Sequence, residues 1–172
     1  MQLLTRLAGG FLAILIVGLG GLLIGARFAD GPLSIVAGGP FTSGTLVTGT
    51  DEPDWKFVHD IQEVEFQLLE PARSRTTWII EHEGKAYIPC GYMTTWWGKI
   101  WKQWPHEALK DGRILLRIGD KQYRRQLVRI EGGPLIAPIT AELGRKYPAA
   151  SAVSAETVAS GYLWLFELAP PI

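Results

Sequence analysis

The distribution of apolar residues divides the chain into an N-terminal segment and a remainder of different character. Residues 7–26 contain no charged or strongly polar side chain. As an α-helix with a rise of about 1.5 Å per residue, this run spans roughly 30 Å, the thickness of a bilayer hydrocarbon core. A cleaved secretory signal has a shorter apolar run that ends in small residues, whereas Arg27 and Phe28 follow here. The pattern therefore favours a retained transmembrane anchor over residues 1–28.

The charges that flank this span predict its orientation. Arg6 precedes the span, while Arg27 and Asp30 nearly cancel after it. The positive-inside rule then favours a cytoplasmic N-terminus and a single-pass cell-membrane protein with its C-terminal domain on the exported, periplasmic side. Gly21 and Gly25 lie four residues apart in the span. Small residues at this spacing allow a second helix to approach closely, so we expect an interface there with integral-membrane protein subunits.

Residues 29–54 are rich in Gly, Pro, Ser and Thr, and their apolar runs are short. This composition is typical of a linker, which either lies along a surface or adds an edge strand. A folded domain is predicted to begin at Trp55 and to continue over residues 55–172.

Alternation and β-branched residues predict a mainly β domain after the linker. Residues 61–69 alternate apolar and polar side chains with one slip in phase. Glu83-Gly84 predicts a tight hairpin turn. The six predicted strands cover residues 61–69, 76–82, 85–89, 113–118, 122–130 and 162–168. Pro105 suits the first position of a short helix over 105–111, and 139–147 is predicted as a second helix. These elements predict a small antiparallel β-barrel with short helices.

Composition and charge exclude several classes of function. The 17 basic and 17 acidic residues give a net charge of zero, which argues against a polybasic protein with a nucleic-acid partner. Cys90 is the single cysteine, and none of the three histidines has metal-ligand spacing to another ligand type. We therefore predict no metal site and no catalytic residue.

The order of motifs in residues 75–130 has a known parallel. RTTWIIEHEGKAYIP, a variable insert, and KQWPHEALKDGRILLRIGDKQYRRQLVRI resemble the FMN-binding split-barrel superfamily, in particular its deazaflavin-dependent nitroreductase branch and related uncharacterised families. The resemblance implies a split-barrel fold. It also implies that the phosphate of FMN or a deazaflavin would lie at Arg73, Ser74, Arg75, Thr76 and Thr77. The alternative is a solvated turn with exposed arginines and no cofactor, because Glu70 and Pro71 precede these residues.

A tryptophan- and lysine-rich insert lies between the hairpin and the short helix. Residues 92–104 hold four of the seven tryptophans, together with Lys99 and Lys102. Trp97, Trp101 and Trp104 have the spacing of one helical face, and Trp96 lies beside them. The cluster caps the barrel core, lies in the bilayer interface or against a membrane partner, or borders a flavin pocket.

Two hypotheses for function follow. The first is a membrane-anchored accessory or structural subunit of a larger integral-membrane complex, with electron transport as the expected process. The second is a membrane-tethered oxidoreductase that uses FMN or a deazaflavin. The anchor, the Trp/Lys insert and the lack of a catalytic constellation favour the first, without a bound cofactor.

Overall fold

The computed structural model describes residues 2–49 and 52–171 of the chain. Helix α1 covers Gln2–Ala26. Its segment Gly9–Ala26 is long and apolar enough to cross a membrane, and almost none of that segment is buried by the rest of the chain. An exposed apolar surface of this length is unfavourable in water, so the helix has the properties expected of a membrane anchor.

The rest of the described chain is built on an eight-stranded sheet with short helices around it. Its strands are β1 Thr45–Leu46, β2 Glu63–Leu68, β3 Arg73–Trp78, β4 Ile80–His82, β5 Lys85–Cys90, β6 Arg113–Ile118, β7 Lys121–Ile130 and β8 Trp164–Ala169. The helices are α2 Trp96–Trp101, α3 Trp104–Ala108, α4 Ile136–Lys146 and α5 Ala155–Ala159. Short 3₁₀ turns cover Trp55–Val58 and Pro148–Ala150.

The sheet curls into a half-barrel. Its strands follow the order β3-β2-β6-β7-β8-β5-β4, with antiparallel neighbours, and β1 joins β7 in parallel. The first and last strands of this path, β3 and β4, are separated in the chain by Ile79 alone. The two ends of the sheet must therefore come together at Ile79, and β3 and β5 diverge beyond it. This arrangement confirms the predicted mainly β, antiparallel, barrel-like fold with a preceding apolar helix.

Two apolar layers hold the half-barrel. The interior contains Phe66, Leu68, Ile88, Leu116 and Phe166, which are fully or almost fully buried. On the outside, α4 and α5 cover the sheet through a second cluster that includes Ile80, Tyr87, Ile139, Leu143 and Leu165. Strands β5 and β8 are consequently covered on both faces, which explains why their sequences are apolar over several successive residues.

The local predictions match the observed elements to different degrees. The Glu83-Gly84 hairpin is confirmed, with positive φ at both residues (51° and 77°), as a type I′ turn requires. The strand predicted over 76–82 is wrong as a single element, because it begins at Arg73 and breaks at Ile79. Arg73 and Ser74, which lie before the predicted strand, therefore belong to β3.

The shared helical face of Trp97, Trp101 and Trp104 is also wrong. Helix α2 ends at Trp101, and Lys102 leaves helical geometry with φ −91° and ψ 64°. Pro105 has no N–H to donate to the carbonyl of Trp101, so one continuous helix would lose a hydrogen bond at this point. Trp104 instead begins α3 and is 6% exposed in the barrel interior.

The Gly/Pro-rich segment after the anchor lies on the barrel, and we call residues 29–46 the strap. At one end, Asp30 pairs with Arg117 of β6 (2.9 Å). In the middle, Gly38 and Ser74 exchange backbone hydrogen bonds. At the far end, β1 pairs with the start of β7. The strap thus connects the end of α1 to three separate strands.

Candidate functional site

A groove opens where the half-barrel is split between β3 and β5. Its volume is about 790 Å³, within the range of about 300–1,000 Å³ that is usual for small-molecule sites. Strand β3 contributes Thr76, Thr77 and Trp78, and the end of β5 contributes Pro89 and Cys90. Because the sheet ladder is open here, the groove follows directly from the break at Ile79.

Residues from five further parts of the chain complete the groove. They come from the strap, β2, the loop between β5 and α2, the α2–α3 connection and the C-terminal helical region. The remaining lining residues are Ser34, Ile35, Glu63, Gly91, Tyr92, Thr94, Lys102, Trp104, Leu143, Ala149, Ala150, Ala152, Val153, Thr157, Ser160, Tyr162 and Leu163. The walls are mainly apolar and aromatic, with hydroxyl groups between them.

Aromatic contacts fix the shape of the groove. Trp78 stacks on Tyr147 with ring centroids 4.4 Å apart and an interplanar angle of 7°. Trp104 packs edge-on against Phe66 at 4.9 Å, which fixes the indole in the interior. Tyr92 contacts Trp97 at 4.7 Å and therefore joins the rim of the groove to α2. These contacts fix the positions of Trp78, Trp104 and Tyr92 in the groove wall.

The break at Ile79 is stabilised from α4. The Tyr147 hydroxyl accepts from the Ile79 N–H (3.0 Å), and the Lys146 ammonium donates to the Ile79 carbonyl (2.9 Å). Burial lowers the pKa of Lys146 and raises the pKa of Tyr147 to about 12. These two side chains replace the sheet partners that Ile79 lacks, and no sequence motif identifies them.

Cys90 lies at the inner wall of the groove. Burial raises the pKa of its thiol to about 11, while the charges of Lys102 and Arg75 oppose this shift. A neutral thiol in an apolar environment is a poor nucleophile and a poor metal ligand. Among the described residues, no three His, Cys, Asp or Glu side chains are grouped to hold a metal ion.

The residues predicted to hold a cofactor phosphate do not form one cluster. Arg73 donates to the carbonyls of Gly38 (2.8 Å) and Ala37 (2.6 Å), and the Ser74 hydroxyl donates to the carbonyl of Gly39 (2.6 Å). Both side chains therefore hold the strap.

Arg75 is likewise engaged, because it pairs with Glu107 of α3 at 3.3 Å. Burial lowers the pKa of Arg75, and the Glu107 carboxylate opposes this shift. Of the five predicted residues, only Thr76 and Thr77 line the groove.

The residues present therefore do not fit a phosphorylated flavin or deazaflavin in the predicted way. A phosphate dianion is normally bound by several donors, with arginine forks prominent among them. Arg73 and Ser74 are turned to the strap, and Arg75 is paired with a carboxylate.

The other predicted interface residues separate into a buried group and an exposed group. Trp104 is interior, as described above. In contrast, Trp96 and Trp101 are 77% and 57% exposed, and Ile100 beside them is also exposed. Trp97 is partly shielded by Tyr92, while Lys99 is exposed and Lys102 half-buried. We call Trp96, Trp97, Lys99, Ile100 and Trp101 the α2 patch.

Gly98 positions this patch, whereas Gly21 and Gly25 leave room beside the anchor. Gly98 lies so close to the loop before α2 that an added Cβ would be 1.8 Å from the Tyr92 carbonyl oxygen. Gly21 and Gly25 have the opposite surroundings, since an added Cβ at either position meets nothing within 4 Å. That face of α1 is open to a neighbour.

No family model matches the chain, and no curated protein matches it. Among solved structures, the chain is similar to the conserved hypothetical protein Rv2991 from Mycobacterium tuberculosis, with a TM-score of 0.47 and 10% sequence identity. The match covers 67% of this chain and 77% of that chain.

Proposed function

We propose that this chain is a single-pass membrane protein whose half-barrel acts as an accessory or structural subunit of a larger integral-membrane complex. The observation that carries the proposal is the connection between anchor and barrel. Helix α1 exposes its apolar surface, and the strap bonds the next residues to the sheet through Asp30, Arg73 and Ser74. A domain joined in this way is held at the membrane surface in a fixed orientation, which suits a docking role.

The α2 patch supports the same function. Tryptophan and lysine side chains together are typical of the interface between bilayer and water. Two tryptophans and Ile100 on one short helix are exposed with Lys99 between them. We assign this patch to the headgroup layer of the bilayer, where the indoles lose contact with water and the lysine remains hydrated.

The partner subunits are expected to contact α1 through the face that carries Gly21 and Gly25. Both positions are open, and close helix packing in membranes depends on such small residues. The resemblance of residues 75–130 to a redox superfamily makes an electron-transport complex the first partner class to test. The charge bias around α1 supports an exported barrel.

Purification of the full chain from its native membrane in a mild detergent tests the accessory-subunit proposal. We expect integral-membrane proteins to copurify in fixed ratio with the parent chain, and this ratio to fall when Gly21→Leu and Gly25→Leu are combined. Gly9→Leu is the matched control, because it adds the same side chain on a different face of α1. A parent chain that purifies alone contradicts the proposal.

The orientation has its own test. Lys110 is exposed on the barrel, and the native Cys90 is buried. We expect Lys110→Cys to react with a membrane-impermeant maleimide in intact cells, and the parent chain to stay unlabelled. Labelling only after lysis would place the barrel on the cytoplasmic side.

The oxidoreductase hypothesis remains a second candidate because the groove has the volume of a cofactor site and contains Thr76 and Thr77. Its test is the absorption spectrum of the full chain purified in mild detergent. We expect a colourless protein whose spectrum is not altered by added FMN. A bound chromophore that absorbs in the near-ultraviolet or blue would replace the accessory role with a redox role.

A further inference from the structure

The groove between β3 and β5 has an uneven distribution of charge. Of the described residues that line it, Lys102 is the only basic one and Glu63 the only acidic one. Glu63 is exposed and lies opposite Trp78 in the β2–β3 ladder, at the outer rim. Lys102 is half-buried and close enough to Cys90 to lower the pKa of its thiol. Lys102 therefore supplies the positive charge of the described lining, and the rest of the wall is mainly apolar and aromatic with hydroxyl groups between.

The charge of Lys102 is available to a ligand. Arg75, the other cation that influences Cys90, pairs with Glu107. Lys102 forms no ion pair with a carboxylate in the part of the chain that the structure describes. A half-buried ammonium without a counter-ion favours an anion, because partial burial weakens its hydration and strengthens its field.

The strap contributes to the apolar wall of the groove. Its residues Ser34 and Ile35 line one side, and Ile35 is 83% exposed. Trp78 and Trp104 form other parts of the wall, so the lining offers aliphatic and aromatic surface to an apolar chain.

From this geometry we infer that the groove binds a single-chain amphiphile with one carboxylate, such as a long-chain fatty acid. The carboxylate pairs with the Lys102 ammonium, and the hydrocarbon chain lies along the aromatic and aliphatic walls toward Ile35. A single cation matches a monoanion, whereas a phosphate dianion would leave charge uncompensated. The inference does not depend on the proposed membrane location, and it assigns the groove a ligand that the accessory role does not require.

Titration calorimetry of the full chain in a non-ionic detergent tests the inference. The probes are dodecanoate, dodecanol, dodecylamine and FMN, each corrected for its heat of transfer into detergent alone. We expect saturable binding of dodecanoate, at least tenfold weaker binding of dodecanol, and none of the amine. Equal binding of the acid and the alcohol, or saturable binding of FMN that dodecanoate displaces, would overturn the assignment.

Two matched lysine variants separate groove binding from general charge effects. Lys102→Met should weaken dodecanoate binding roughly ten- to a hundredfold, the value of a charge-assisted hydrogen bond. Lys110→Met removes the same charge from an exposed position outside the α2 patch that does not line the groove, so it should leave binding unchanged. Equal losses in both variants would indicate surface partitioning and contradict the inference.

A third variant distinguishes loss of ligand binding from loss of folding. Ala152 is exposed and lines the groove, so Ala152→Trp should fill it and abolish binding while the unfolding temperature stays near that of the parent. Dodecanoate bound unchanged by this variant would place the ligand elsewhere. Copurification with partner subunits is measured separately, so a protein that binds dodecanoate but purifies alone refutes the accessory role and leaves this inference standing.

Discussion

The strap packs on the barrel while the α2 patch is exposed, which is the opposite of what the compositions of these two regions suggest. The strap is rich in glycine and small polar residues, yet it pairs with three strands. Its Gly38 is buried, and the backbone around Gly38 is tightly packed. The α2 patch is the most aromatic part of the sequence, yet Trp96, Ile100 and Trp101 are exposed. The difference shows that whether a segment packs against the barrel depends on the groups that can contact it there, and not on its hydrophobicity alone.

The partners explain both cases. The strap lies against the free edge of β3, where Arg73 and Ser74 supply donors for its carbonyl groups. Glycine is required at position 38 because an added Cβ would collide with the backbone of Gly31 and Pro32 within the strap itself. In the α2 patch, Tyr92 packs against Trp97, while the apolar area of Trp96, Ile100 and Trp101 stays exposed and available to a bilayer.

Gly38→Ala, in the strap, is expected to cause the largest loss in the free energy of unfolding. An added Cβ would lie 1.7 Å from the Gly31 carbonyl oxygen, so the backbone of the strap must move. We expect a loss of about 3 kcal/mol in the free energy of unfolding, measured by urea denaturation of the full chain in detergent. Gly49→Ala is the matched control, since its added Cβ meets nothing within 4 Å. Equal effects of the two variants would mean that the strap is not tightly packed.

A smaller loss in the free energy of unfolding is expected from Gly98→Ala, which tests how the α2 patch is held. The added Cβ would lie 1.8 Å from the Tyr92 carbonyl oxygen and would push α2 away from its loop. Because α2 is outside the barrel interior, we expect a loss of about 2 kcal/mol in the free energy of unfolding, with a change in tryptophan fluorescence. Gly91→Ala, in the same loop with nothing within 4 Å, should change neither quantity.

Much of the β-structure could be predicted because its signals are local. The strand over 113–118 coincides with β6, and the Glu83-Gly84 turn is read from two adjacent residues. The second predicted helix, 139–147, is observed three residues earlier at its start, as Ile136–Lys146. Periodicity locates such elements well and their ends less well.

The site could be predicted only in part, because its geometry depends on distant contacts. Thr76 and Thr77 do line the groove, but Arg73 and Ser74 are directed to carbonyl groups more than thirty residues away in sequence. Backbone carbonyl groups carry no side-chain pattern that would indicate this. The role of Lys146 and Tyr147 at Ile79 is equally non-local.

Acid should loosen the strap by a modest amount. The Ser43 hydroxyl, the Thr42 N–H and the Arg117 guanidinium hold the pKa of Asp30 well below its usual range. A lowered folded-state pKa stabilises the fold above the unfolded pKa, and this contribution is lost as the pH falls toward the folded value. Since Asp30 is about one-third exposed, screening limits the effect, and we expect Asp30→Asn to cost about 1 kcal/mol at neutral pH.

The same variant has a distinct pH signature. The difference in unfolding free energy between Asp30→Asn and the parent should narrow as the pH falls from about 5 to about 2, because the parent then loses its carboxylate. Asp60→Asn, at an exposed aspartate outside the strap, should show a smaller difference throughout. A gap for Asp30→Asn that stays constant with pH would assign its effect to packing rather than charge.

Substitutions in the α2 patch are expected to have the smallest effect on the free energy of unfolding and the largest effect on contact with the membrane. Combining Trp96→Ser with Trp101→Ser should change the free energy of unfolding by less than about 0.5 kcal/mol, because both side chains are exposed. In nanodiscs with brominated lipids, however, quenching of tryptophan fluorescence should fall by more than the loss of two fluorophores explains, since the barrel tilts away from the bilayer. Val128→Ser, at an exposed apolar position on β7, should alter neither measurement. If the double variant instead loses stability and keeps its quenching, the patch packs within the chain and the strap alone holds the barrel at the membrane.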